Sequence, residues 1–328
     1  MESLKAKLVR KWLQLANQRH EQKIQKKVSR SKTSEPSSIY TRIPKLSLIV
    51  QFFNKKPNIK SIINALRLTS AEELIVIDDG SSDGSYEEWM KYLDRRNDFL
   101  LRCNDLFEVR TYERAIGMAK GEFVCLLQDD DIPPDNNIWV EQALSLFEAL
   151  PSLLILGGRE ALDFLTPDPV DPNEEPTYKR IGDIITRPGL FKKRIHGAPN
   201  YVEPQSGIPF MFATSVNRAP TFIRRKPFLE IGGINQDYAP FQFDDDEASV
   251  RAWLAGYQVG LYPCPFVRNV GAGGMRIFNS ERVKKQSVIN AKKFYEAYAP
   301  IIASGELQNM IDRANQQLIN APNKSQII

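Results

Sequence analysis

The chain has 328 residues, 42% of them hydrophobic and 26% charged, enough to bury one large core or two small ones and too apolar for a disordered protein. Its net charge of +4 is uneven, because residues 1–32 hold ten Lys or Arg against Glu2 and Glu21, leaving 34 basic and 38 acidic residues in the rest. A slightly acidic body argues against nucleic-acid binding, three scattered cysteines (Cys103, Cys125, Cys264) argue against a disulfide framework or a zinc site, and no apolar run approaches the roughly 20 residues of a membrane span.

The first 31 residues read as a helix, with Leu4, Leu8, Trp12 and Leu15 on one face and Lys5, Lys7, Arg10 and Lys11 around it. Such a stripe suits contact with an anionic membrane surface, and equally suits packing on the main body or on a second chain. No cleavable leader is visible, so the expected location is cytoplasmic, with peripheral membrane contact through residues 1–31. Residues 29–38 read as a linker, giving a tail over 1–40, a main domain over 41–276 and C-terminal helices over 277–328. From Lys45 short β-rich runs alternate with helical stretches, the pattern of a mostly parallel sheet covered by helices on both faces. Strands are expected at 46–51, 73–77, 99–102 and 122–127, and helices at 58–68, 85–95, 109–120 and 137–149, which makes a doubly wound nucleotide-binding half over about 45–131. After a strand at 153–156 the order loosens: residues 161–205 hold seven prolines and read as an irregular functional excursion within an acceptor half over about 132–276. Strands at 209–214, 221–225 and 258–262, a helix at 245–255, and closing helices at 281–297 and 306–318 complete the chain.

Acidic residues recur where strands end, at Asp78 and Asp79 and again at Asp129, Asp130 and Asp131. In open α/β sheets ligands bind beyond the carboxyl ends of the strands, so both groups are expected to face one crevice. Three consecutive carboxylates call for a cation, and hard oxygen ligands suit Mg2+ or Mn2+, which leave positions for phosphate oxygens and water. An acidic turn facing solvent is the alternative, disfavoured by the apolar run Phe123-Val124-Cys125-Leu126-Leu127 just before it. The loop Ile77-Asp78-Asp79-Gly80-Ser81-Ser82-Asp83-Gly84-Ser85 supplies a strand end, a glycine turn and a capped helix start.

Together with Gly121-Glu122-Phe123 and Gln128-Asp129-Asp130-Asp131, that loop resembles glycosyltransferase family 2, enzymes of the GT-A fold. A third block, Gly232-Gly233-Ile234-Asn235 followed by Asp244-Asp245-Asp246-Glu247 and Arg251-Ala252-Trp253-Leu254-Ala255-Gly256-Tyr257, is similar to the family's acceptor-side motif. The resemblance runs from about Leu46 to Gly274. It implies a metal-dependent, inverting transfer of a sugar from a nucleotide diphosphate to the hydroxyl of a glycan, lipid-linked or other acceptor, in glycan or polysaccharide assembly. It places the catalytic base on Asp245, with Asp244 and Gly233 on the acceptor side. It places nucleotide contacts on Phe53, Asp79 and Asp129, and the metal on Asp130 and Asp131. Without it, four acids opening a helix are partly explained by the helix dipole alone.

The chain departs from the family pattern at Gln128, where many members have an aspartate, at Gln51-Phe52-Phe53-Asn54, and at Asn269, where many have a histidine. The Gln-x-x-Arg-Trp motif of processive synthases is absent, which implies one sugar per encounter. A non-catalytic binding or scaffold protein on the same fold is the competing expectation. His20 and His196 fall outside the motif blocks and are not expected to be catalytic, Gly271-Ala272-Gly273-Gly274 reads as a turn, and Arg276 beyond it reads as a solvated arginine, with contact to a diphosphate as the lesser alternative.

Overall fold

The computed structural model describes residues 43–95, 97–164, 193–218, 220–269 and 281–321. The N-terminal stripe, His20, most of the proline-rich stretch, the Gly271–Gly274 turn and Arg276 lie outside the described residues. Residues Met1–Ile43 and Pro44–Ile328 are separate units, and the fold below is that of the second.

In chain order the elements are β1 (Leu46–Phe52), α1 (Lys56–Arg67), β2 (Glu73–Asp78), α2 (Ser85–Met90), β3 (Asp98–Arg102), α3 (Phe107–Met118), β4 (Phe123–Gln128), β5 (Asp131–Ile132), α4 (Ile138–Ala149), β6 (Leu153–Gly157) and β7 (Ala161–Phe164). They continue with β8 (Lys193–His196), β9 (Tyr201–Val202), β10 (Pro209–Phe212), β11 (Ser215–Val216), β12 (Thr221–Arg224), α5 (Arg225–Glu230), α6 (Asp244–Leu254), β13 (Gln258–Leu261), β14 (Val267–Arg268), α7 (Glu281–Ala303) and α8 (Glu306–Asn320).

Nine strands form one sheet in the order β3-β2-β1-β4-β12-β6-β13-β10-β9. The pairs β3/β2, β2/β1 and β1/β4 are parallel, as the βα alternation predicts. Every residue of β1, β2 and β6 is buried, which is why these strands read as unbroken apolar runs: helices cover both faces. β12 enters antiparallel between β4 and β6 and joins the two halves in one hydrogen-bonded sheet. The arrangement is a mixed, mostly parallel α/β sheet, as the sequence leads one to expect.

Gly121 shows how a motif glycine serves this sheet. A Cβ there would meet Ser47 Oγ and the Phe123 carbonyl oxygen at 2.5 Å, because the Gly121 amide donates to Ser47 Oγ, which in turn donates to Glu73. Only glycine lets the turn into β4 lie this close to β1.

Two expectations need correction. The helix from Ser85 stops at Met90 rather than Arg95, where Arg67 takes the Tyr92 carbonyl at 2.6 Å. The stretch from residue 161 is not wholly irregular, since β7 pairs antiparallel with β8 and β11 in a three-stranded sheet. These partners lie tens of residues apart, so no local period announces them. The C-terminal helices share the main core: Phe294, Tyr295, Leu307 and Ile311 are buried in it, and Asn315 bonds both the amide and the carbonyl of Phe212. Among the described residues no helix is long and apolar enough to cross a membrane.

Candidate active site

A cleft of about 460 Å3 opens beyond the ends of β1 and β4 and is walled on its far side by the start of α6. Phe53, Asp129 and Asp130 line one flank and Asp244 and Asp245 the other, so five of the eight residues expected at the site share one cavity. The remaining three, Asp79, Asp131 and Gly233, do not line it.

Asp79 is fully buried, and its carboxylate accepts from the Leu106 and Phe107 amides at 2.8 and 2.9 Å. It fastens the β3–α3 loop instead of facing the crevice. Neighbouring Asp78, also buried, accepts from the Ser81 amide and faces Arg102 Nε at 3.3 Å. Asp131 turns away from Asp130 because β5 pairs with β14, and it lies buried with Arg159 Nη1 at 3.6 Å. Gly233 has φ +63°, and a Cβ there would stand 2.7 Å from the Glu113 carboxylate, which accepts the Ile234 amide. Its carbonyl accepts from Arg251, so the Gly-Gly and Arg-Ala-Trp blocks are one packed turn behind the cleft.

Asp129 Oδ2 accepts the Phe53 amide at 2.6 Å, tying the end of β1 to the acidic turn. Burial pushes its carboxyl up to about 8, against the Phe53 bond, which lowers it. Burial likewise pushes Asp131 up to about 6, with the Asp130 charge adding to it. Arg268, carried by β14, reaches Asp130 at 3.3 Å. Asn269 donates its backbone amide to the Asp130 carbonyl at 2.7 Å and its side chain to Asn58, which also donates to the Asp129 carbonyl. That position supports the turn through the backbone.

The fit to a cation is that of a partial site. Both carboxylate oxygens of Asp131 are buried without a hydrogen bond, and burial raises the carboxyls of Asp129 and Asp131. Among the described residues no three acidic, His or Cys side chains converge on one point. A divalent ion here would therefore take Asp130 and complete its shell from phosphate oxygens and water, the usual habit of Mg2+.

The four acids opening α6 are sorted by their partners. Asp244 is buried in an ion pair with Arg218. Asp246 accepts from Ser215 Oγ at 2.5 Å. Glu247 is held by Arg251 through both oxygens and by the Tyr298 hydroxyl. Asp245 is half-buried, lines the cleft, and accepts only the neighbouring Asp246 amide, at 3.0 Å, among the described residues. The turn before it is strained, with Gln242 and Phe243 at φ 69° and 65°. Asn290 of α7 holds it by donating to the carbonyls of Tyr238, Phe241 and Gln242.

Glu108 and Arg218 line the cleft without having been expected there. Burial pushes the Glu108 carboxyl up to about 7, partly opposed by Arg218. The signal for Arg218 is present in the sequence: it is a lone arginine between the apolar runs that become β11 and β12. His196 sits at the end of β8 and pairs with buried Asp163 at 2.8 Å, outside the cleft lining.

Residues 47–191 match the family model described as glycosyl transferase family 2. A macaque (Macaca fascicularis) protein named inactive polypeptide N-acetylgalactosaminyltransferase-like protein 5 is 23% identical over 241 residues, covering 70% of this chain and 52% of its own. The catalytic subunit of a UDP-forming cellulose synthase from Pseudomonas fluorescens is 24% identical over 213 residues, covering 64% of this chain and 25% of its own. The chain thus spans about half and a quarter of these relatives. A mannosyltransferase from Pyrobaculum calidifontis in complex with GDP-Man and Mn2+ superposes with a TM-score of 0.49 at 14% identity, over 86% of this chain and 77% of that one. S. aureus TarS in complex with UDP-GlcNAc superposes at 0.47 and 16% identity with the same coverage. Over residues 47–191, then, the chain is similar to glycosyl transferase family 2.

Proposed function

We propose that the cleft transfers one sugar per encounter from a nucleoside diphosphate to an acceptor hydroxyl, with inversion at the anomeric carbon and Asp245 as general base. The observation that carries this is the sorting of the α6 acids: Asp244, Asp246 and Glu247 are each held by a side chain, and Asp245 lines the cleft with a backbone amide as its hydrogen-bond partner among the described residues. Its carboxylate takes the proton of the acceptor hydroxyl as that oxygen bonds to the anomeric carbon and the diphosphate leaves from the opposite face. Phe53 and Asp129 shape the nucleotide side. Asp130 is the residue to hold Mn2+ or Mg2+, which would supply charge neutralisation for the departing diphosphate.

The test uses the full chain with UDP-GlcNAc and GDP-mannose as donor probes, with Mn2+ or with EDTA. Metal-dependent release of UDP or GDP that is lost in Asp245→Asn, with donor binding retained, is the expected result; no release from either donor or a wider set of nucleotide sugars would overturn it. A second reading, a protein that binds such a ligand without transfer, is favoured by one contact: the Arg268 guanidinium already sits against Asp130, where a cation belongs. Nucleotide binding indifferent to Mn2+ and unaccompanied by release would select it.

A further inference from the structure

A row of side chains crosses the cleft from the end of β4 to the start of α6. Gln128 Nε2 donates to Glu108 Oε1 at 3.3 Å, Arg218 Nη1 donates to Glu108 Oε2 at 3.4 Å, and Arg218 Nη2 pairs with Asp244 Oδ2. The guanidinium lies over the Tyr112 ring, 4.9 Å from its centroid. Arg218 is 7% exposed and Asp244 2%, so this is a buried cation between two carboxylates. The charged or titratable groups around it are Glu108 and Tyr112 from α3 and Asp244 and Asp245 from α6.

A buried ion pair adds little to stability compared with apolar groups of the same volume, but a planar guanidinium fork defines distance and direction. Here the fork ties the first turn of the acceptor-half helix to α3 of the nucleotide half. The same short segment of chain grips that turn a second time, through Ser215 and Asp246. Asp245 lies between the two gripped residues. Gln128, the departure from the family pattern, also falls into place: a neutral amide donates to Glu108 where a carboxylate would add a third negative charge.

We propose that Arg218 is a positioning residue for Asp245, tying the first turn of α6 to Glu108 across the cleft so that the base keeps one place relative to the donor. This deepens the reading of Asp245 as the base and rests on it.

The test compares the full-length protein with Arg218→Lys and with the charge-balanced pair Arg218→Met/Asp244→Asn. Lysine keeps the charge but not the fork, and the pair removes one charge of each sign while Glu108 keeps its hydrogen bond from Gln128. Both are expected to keep donor affinity and donor KM while kcat falls about 100-fold, the scale of a 1 Å misplacement. A merely structural role would lower melting temperature and donor affinity together, and Arg218→Lys would then recover both along with kcat. Hydrogen exchange supplies a readout independent of turnover: in Arg218→Lys the amides of residues 244–248 should exchange faster while those of α3 do not change. Parental kcat in either variant, or unchanged exchange at 244–248, overturns the proposal. If the parent itself releases no nucleotide, the general-base reading fails, and the exchange arm still decides whether Arg218 holds the helix start.

Discussion

The nucleotide half and the acceptor half hold their carboxylates in different ways. In the first, three acids at strand ends are bound by backbone amides, Asp78 by Ser81, Asp79 by Leu106 and Phe107, Asp129 by Phe53, while Asp130 and Asp131 face the guanidinium groups of Arg268 and Arg159. In the second, the acids at the start of α6 are bound by side chains: Asp244 by Arg218, Asp246 by Ser215, Glu247 by Arg251 and Tyr298. Both kinds of contact reach across the sequence, 76 positions for Asp129 and Phe53 and 26 for Asp244 and Arg218. What differs is the partner: an amide ties an acid to the shape of a loop, and a side chain can be exchanged by mutation without moving the backbone.

The comparison breaks first at Asp245. Asp245→Asn should lower transfer by about 10²–10⁴-fold while donor affinity is kept; a parental rate, with loss instead in Asp244→Asn or Glu247→Gln, would move the base to the residue that failed. Next is Asp130→Asn, which should abolish the Mn2+-dependent part of nucleotide-induced thermal stabilisation and leave the melting temperature of the free protein unchanged. Asp79→Ala sharpens the difference between halves. Removing an acceptor of two buried amides should cost about 1–3 kcal/mol in urea unfolding, with nucleotide affinity affected less than stability. An unaltered unfolding midpoint with lost nucleotide binding would return Asp79 to the ligand.

The smallest effect concerns pH. Glu108 holds its proton up to about 7 in the folded chain against an ordinary 4.5, so the folded state binds the proton more tightly than the unfolded one. Stability from this group is therefore present below about 4.5 and declines as pH rises to about 7. Glu108→Gln should flatten that part of the melting-temperature profile, and an unchanged slope would assign it to another group.

The sheet was legible because its strands are buried on both faces and its helices carry apolar stripes; the expected strands from residue 46 to 127 lie within a residue or two of the observed ones. The small sheet of β7, β8 and β11 was not, since its pairing is long-range and its strands are two to four residues long. At the site, motif resemblance led to Phe53, Asp129, Asp130, Asp244 and Asp245 in the cleft. It could not tell Asp79 from a ligand contact, because an aspartate that binds its own backbone and one that binds a base look alike in sequence. Glu108 and Arg218 went unseen because they stand 110 positions apart and only the fold brings them together.

The insertion of β12 between β4 and β6 has a kinetic meaning. A cleft between two hinged bodies can close by rotation, as in many ligand-capturing enzymes. Here the strand that ends the acceptor wall is laced by hydrogen bonds to the strand that carries the acidic turn. Relative motion of the two walls of the cleft is then left to side chains and connecting loops above one continuous sheet.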